Sequence, residues 1–176
     1  MSRLTPPVGA RDHVYGPARA RITLVEYGDF ECPHCRAAHP IVKQIQSSMG
    51  RDVRIVYRHF PLTKIHPHAQ HAAEIAEAAA QHGKFWAMYD LLFAHQDALA
   101  DQDLVRYATT LGIDAEWAAT VLADGRFRRR VRDDFASGVR SGVNGTPTFF
   151  IGGERYEGGA TDLLASLMEA TINAPL

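Results

Sequence analysis

The chain holds two cysteines, and both stand in one motif, Cys32-Pro33-His34-Cys35. Disulfide exchange needs a thiolate, and an ordinary cysteine of pKa ~8.5 is mostly protonated at neutral pH, so the surroundings must lower that value. A strand-to-helix turn does this: at the mouth of a helix, the Cys32 sulfur would face unpaired backbone N–H groups and the positive end of the helix dipole. Cys35, one turn inside, would be shielded. Cys32 would then attack a partner sulfur to give a mixed disulfide, which Cys35 would resolve. A partly protonated His34 between the sulfurs would favour the reduced pair and make the disulfide a stronger oxidant. A purely structural bridge across so short a loop would constrain the unfolded chain little. Zinc would need two more ligands than one Cys-x-x-Cys supplies. The pattern therefore reads as a redox-active dithiol working without a prosthetic group or metal.

The flanking residues are of the kind that build such a turn. Ile22 to Tyr27 alternates as a strand, with Leu24 and Glu26 on one face and Thr23, Val25 and Tyr27 on the other, so an acid points where an apolar residue is expected. From Arg36 to about Met49, Ala37, Ala38, Ile41, Val42 and Ile45 recur at helical spacing, Pro40 removes one donor, and Gly50 ends the run. Val53 to Arg58 alternates again. Strand, helix and strand make a parallel pair with a right-handed crossover. Residues 67–140 predict a helical block with segments His68–His82, Lys84–Leu99, Asp101–Leu111, Asp114–Leu122 and Arg126–Val139. A hairpin follows from Thr148–Ile151 through Gly152-Gly153 to Arg155-Tyr156. The last helix begins near Thr161, with Leu163, Leu164, Leu167 and Met168 facing inward. Residues 1–20 carry three prolines, two glycines and no period. They predict an irregular lead-in that Val14 and Tyr15 pin to the body. The organisation predicted is an α/β domain from 21–66 and 141–176, with 67–140 as an inserted helical subdomain.

Phe30-Glu31-Cys32-Pro33-His34-Cys35, the later Gly145-Thr146-Pro147-Thr148-Phe149 and the helical block between them resemble the DsbA-like branch of the thioredoxin superfamily, over about Asp12 to Ile172. The resemblance implies a thioredoxin fold, a central mixed sheet flanked by helices, interrupted by the helical subdomain. It implies that Cys32 is the nucleophile and Cys35 the resolving thiol. Pro33 and His34 fill the dipeptide typical of that branch. Pro147 would be the cis-proline beside the dithiol, leaving the backbone of Thr146 free to pair with a substrate strand. Glu26, six residues before Cys32, matches an acid buried beneath the dithiol. In an apolar setting its pKa would be raised, and it would relay the proton of Cys35.

Three other groups invite a functional reading. His59, His66, His68 and His71 crowd one region, but their spacing fits no metal set, and a solvent-exposed loop and helix start is the expectation. The stripe Phe85, Met88, Tyr89, Leu92 and Phe93 reads as the core of the helical block. Arg126-Phe127-Arg128-Arg129-Arg130-Val131-Arg132, flanked by Asp124, Asp133 and Asp134, reads as a solvated, self-compensating face.

A net charge of -1 gives no reason to expect a polyanion, so nucleic acid is not a predicted partner. No apolar run approaches the roughly 18 residues that cross a bilayer, and Met1–Pro7 lacks the apolar core of a signal peptide. These features predict no membrane partner and a cytoplasmic location, or a periplasmic or other extracytoplasmic one for a chain trimmed of a leader. The partners expected are protein or small-molecule thiols and disulfides, together with a redox partner. The alternatives are a module on the same fold that binds a peptide or a soft metal, and a relative of the glutathione-linked transferases and isomerases, which usually carry serine at the position of Cys32.

Overall fold

A computed structural model describes residues 2–173. In chain order its strands are β1 (His13–Tyr15), β2 (Ile22–Gly28), β3 (Val53–His59), β4 (Thr148–Ile151) and β5 (Glu154–Arg155). The helices are α1 (Pro33–Ser48), α2 (Ala69–Ala80), α3 (Phe85–Ala94), α4 (Asp101–Thr110), α5 (Ala115–Asp124), α6 (Arg128–Arg140) and α7 (Leu163–Asn173), the last preceded by a single 3-10 turn, Ala160–Asp162. The strands form one mixed sheet in the order β1-β3-β2-β4-β5. Only β2 and β3 run parallel, with Leu24 opposite Ile55 and Glu26 opposite Tyr57, as expected of two strands joined through α1. The remaining pairs are antiparallel.

Strand alternation sorts the core. Leu24, Ile55 and Phe149 point to one face, where Ala38, Val42 and Ile45 of α1 and Leu163 and Leu167 of α7 cover them. Val25, Tyr27, Val56 and Phe150 point to the other, where Phe60, Val143 and Phe135 of α6 pack. Burying each such side chain is worth about 1.5–3 kcal/mol. A third cluster joins Phe30, Cys32, Cys35 and Tyr57 to the apolar sides of α2, α3, α4 and α5. The stripe expected to be the core of the helical block is so, and it shares that core with the dithiol, its Tyr89 and Phe93 packing on Phe30.

Several expectations are corrected. His13–Tyr15, inside the stretch expected to be irregular, forms an edge strand on β3, with Val14 opposite Val56. Three residues are too few to show alternation. Met168 faces solvent, 53% exposed, and Thr171 takes the buried position on α7. The inward stripe follows Leu163 and Leu167, one turn apart, and Met168 lies one residue off that line. Arg130, read as part of a solvated face, lies half-buried, with its Nε 3.7 Å from Glu77 and its guanidinium on Asp134.

Candidate functional site

The dithiol sits where β2 ends and α1 begins. Cys32 is the residue capping α1, at φ -74° and ψ 122°, with no side-chain hydrogen bond to the helix, and Pro33 opens the first turn. Proline suits that place because the N–H it lacks would be unpaired there in any case. The cap position, usually filled by a serine, threonine or aspartate that consumes a first-turn N–H, is here a cysteine. Both thiols are free, and the pair lies 3.9 Å apart.

The two sulfurs occupy opposite electrostatic settings. The Cys32 thiol is pulled down to about 5, chiefly by a hydrogen bond from Cys35, with further help from Thr146 and from the backbone N–H groups of Cys35 and His34, all of which outweigh burial. Burial pushes the Cys35 thiol well up, and the neighbouring Cys32 and the charge of Glu26 push it further. The Asp29 N–H approaches the Cys35 sulfur at 3.5 Å. His34 itself is exposed, and its hold on Cys32 is through its backbone N–H rather than its ring.

Across the turn lies the segment before β4. The Thr146–Pro147 peptide is cis, and the Cys32 thiol donates to the Thr146 carbonyl at 3.4 Å. A groove of about 500 Å³ runs from His34 and Ile41 past Thr146 and Pro147 to Tyr156 and Gly158. Thr146 and Pro147 line this groove, and the buried Cys32 reaches its edge only through the Thr146 carbonyl.

Glu26 is fully buried on the apolar face of β2. Desolvation raises its carboxyl to about 8, against the single hydrogen bond that Tyr89 donates at 3.2 Å, and Oε1 has no partner among the described residues. The phenols of Tyr57 and Tyr89 are raised as well, first by burial, then by Cys35 and Glu26 respectively.

Two residues that the sequence analysis passed over shape this turn. The buried Asp29 accepts from the Glu31 N–H through Oδ1 at 2.8 Å, and from the Leu62 N–H through Oδ2 at 2.8 Å. The same Oδ2 pairs with His66 Nδ1 at 2.7 Å. Gln96, just past α3, donates to the carbonyls of Phe30 and Cys32. An aspartate in a strand-to-helix turn is a recognisable signal for side-chain to backbone bonding. Nothing local marks Gln96.

The four histidines expected to lie together do not converge. His66 pairs with Asp29, and His71 with Asp101. His68 caps α2, its N–H donating to Glu31. His59, expected on an exposed loop, is buried and shares Glu77 Oε1 with His13, at 2.8 and 2.7 Å. His13, His59 and Glu77 bring three potential ligand atoms within 4.8 Å of one another. The Nε2 of each ring already bonds the carboxylate, Arg130 stands 3.7 Å from the same oxygen, and His59 Nδ1 has no hydrogen-bond partner among the described residues. An ion-pair cluster satisfies these groups better than a cation, which would need the Arg130 charge moved away and a partner for the free ring nitrogen.

The comparisons with known proteins bear on this geometry. A family model described as thioredoxin matches residues 10–170. The chain belongs to the thioredoxin family. Its fold is shared with BdbD from Bacillus subtilis, which superposes with a TM-score of 0.83 at 21% identity, covering 92% of this chain and 94% of that one. A thioredoxin-like oxidoreductase from Silicibacter pomeroyi superposes with a TM-score of 0.81 at 26% identity, covering 94% and 95%. This chain is also 49% identical in sequence, over 168 residues, to a protein of Salinispora tropica named Na(+)/H(+) antiporter NhaA 3, a match that takes in 94% of this chain and 26% of that protein. The chain spans about a quarter of the length of the curated relatives it matches. Among the described residues no helix is long and apolar enough to cross a membrane.

Proposed function

We propose that this thioredoxin-family unit is a thiol–disulfide oxidoreductase that oxidises dithiols, with Cys32 as nucleophile and Cys35 as resolving thiol. The observation that carries the reading is the placement of Cys32 as the cap of α1, its sulfur against the Thr146 carbonyl and beside a buried Cys35. A thiolate held at about 5 stabilises the reduced pair, and a couple whose reduced form is stabilised is an oxidising one.

In the forward direction, a substrate thiolate attacks Cys32 in the Cys32–Cys35 disulfide. A mixed disulfide forms, and Cys35 leaves as a thiolate. Glu26, whose carboxyl burial raises to about 8, would protonate that leaving sulfur. A second substrate thiol then attacks the mixed disulfide, releasing oxidised substrate and the Cys32 thiolate; in the reverse direction Cys32 attacks a substrate disulfide and Cys35 resolves the mixed disulfide. Two electrons pass from the substrate to the pair, one proton comes to rest on Cys35 and the other goes to solvent, and a redox partner takes up the two electrons as the pair returns to the disulfide. An extended substrate strand would lie in the groove at Pro147 and pair with the backbone of Thr146. The proposal concerns the dithiol unit, the quarter of the longer relatives that this chain matches.

The test is direct. Cys32→Ser is expected to abolish both reoxidation of a reduced, unfolded protein and reduction of insulin by dithiothreitol, whereas Cys35→Ser should accumulate mixed disulfides. A Cys32/Cys35 potential well above about -200 mV supports the oxidising direction. Undiminished exchange by Cys32→Ser would sink the reading, and stoichiometric metal or peptide binding without exchange would favour a binding module.

A further inference from the structure

The nucleophile's backbone is held from outside its own motif. Gln96 Nε2 donates to the Phe30 carbonyl at 2.8 Å and to the Cys32 carbonyl at 2.9 Å, so both of its hydrogens go to the two residues that flank Glu31. The Cys32 carbonyl also receives the Arg36 N–H at 3.1 Å, the first hydrogen bond of α1. Gln96 itself is firmly placed. Asp90 of α3 binds His39 and Lys43 of α1 at 2.9 and 2.8 Å, and Asp97 binds Arg36, so α3 is fastened along α1 and delivers Gln96 to its N-terminal end.

The need for such a brace follows from the cap. A serine or aspartate at this position would fix the turn by bonding the first-turn N–H groups with its own side chain. Here the Cys32 side chain makes no such bond, so nothing in the cap residue itself ties down the first turn. The turn must therefore be held through its carbonyls. Two donors on the carbonyls keep Cys32 in its extended cap conformation and partly cancel the negative ends of two peptide dipoles close to the sulfur.

We propose that Gln96 is a positioning residue for the dithiol exchange, its amide fixing the Phe30 and Cys32 carbonyls so that Cys32 keeps its extended cap conformation with the nucleophilic sulfur at the mouth of α1. Gln96 touches no reacting atom and acts through the Cys32 backbone. It also gives the helices between β3 and β4 a direct hold on the redox centre. The inference rests on the assignment of Cys32 as nucleophile.

The experiment compares wild type, Gln96→Met, which keeps the volume without donors or charge, and Gln96→Ala. The pH profile of Cys32 alkylation and the ultraviolet thiolate absorbance are measured beside thermal unfolding. The expected result is a profile displaced upward by ~1 pH unit in both variants, which at pH 5 cuts the thiolate from about half to about a tenth. Variant profiles that coincide with an acidic wild-type profile overturn the inference, and a lowered unfolding temperature with an unmoved profile does so equally by assigning Gln96 to packing. A wild type without an acidic midpoint would instead overturn the assignment of Cys32.

Discussion

Glu26 and Cys32 lie on one strand-turn-helix unit and pull the stability of the protein in opposite directions as pH changes. Glu26 is raised in the fold from 4.5 to about 8. Below the lower value both folded and unfolded chains hold the proton. Between the two the unfolded chain gives it up while the fold keeps it, so stability falls as pH rises and levels off above about 8. Reduced Cys32 is lowered from 9.0 to about 5, so its contribution is complete at the higher value and is lost as pH falls through the lower one. The reduced protein thus has the two slopes set against each other, whereas the disulfide form has only that of Glu26. Oxidised wild type should lose a few kcal/mol between about pH 5 and about pH 8, at about 1.4 kcal/mol per pKa unit, and Glu26→Gln should remove most of that loss. Chemical denaturation of both oxidised proteins across that range checks this. Parallel curves for the two would show that the buried carboxyl is not the titrating group.

The elements that carry the site are as closely fitted as its residues. Helix α6 crosses the sheet at Gly138, where an added Cβ would lie 2.6 and 2.7 Å from the Phe60 ring and 3.1 Å from Tyr27. Phe60 cannot yield easily, since it stacks on Phe135 at 4.3 Å. Alanine would gain about 0.5–1 kcal/mol of helix propensity, but overpacking costs about 1–3 kcal/mol, and against two fixed rings the second effect wins. Gly138→Ala should therefore lower the unfolding temperature, measured by circular dichroism, although it improves the helix taken alone. A rise would mean that α6 shifts freely. Such close approaches mark the limit of what the sequence discloses. The runs of β2 and β3, the helical period of α1 and the cysteine at its start are local patterns and could be read directly. So could the apolar stripe of α3, though not its destination beneath Phe30 and the dithiol. Gln96, Asp29, and the pairing of His13 with His59 depend on which segments the fold brings together across tens of residues. No local spacing encodes that.

At the scale of the whole molecule, the segment before β2 is fastened by charge as much as by apolar contact. Arg58 of β3, almost wholly buried, donates to both oxygens of Asp12 at 2.8 and 3.0 Å, to the carbonyls of Pro6 and Pro7, and to the Tyr27 hydroxyl. On the other side of the same segment, His13 stacks on Phe85 and bonds Glu77, which also holds His59. Both carboxyls lie below their usual range despite burial, Asp12 through the hydrogen bond from Arg58, and Glu77 through His13 and His59. A depressed carboxylate gives stability that is present above its unfolded value and lost on acidification through the folded one. Both fastenings therefore weaken together as pH falls below about 4, where the unfolded chain takes up the protons first. Residues 2–20 should then open before the sheet does. Hydrogen exchange by mass spectrometry at successively lower pH should show the protection of β1 lost first, with β2 and α1 still closed. Glu77→Gln should bring that loss to higher pH, because removing one partner leaves His13 and His59 buried without their shared carboxylate. Simultaneous opening of β1 and β2 at every pH would show that the segment is held by the sheet hydrogen bonds alone and that the two ion pairs add nothing to its closure.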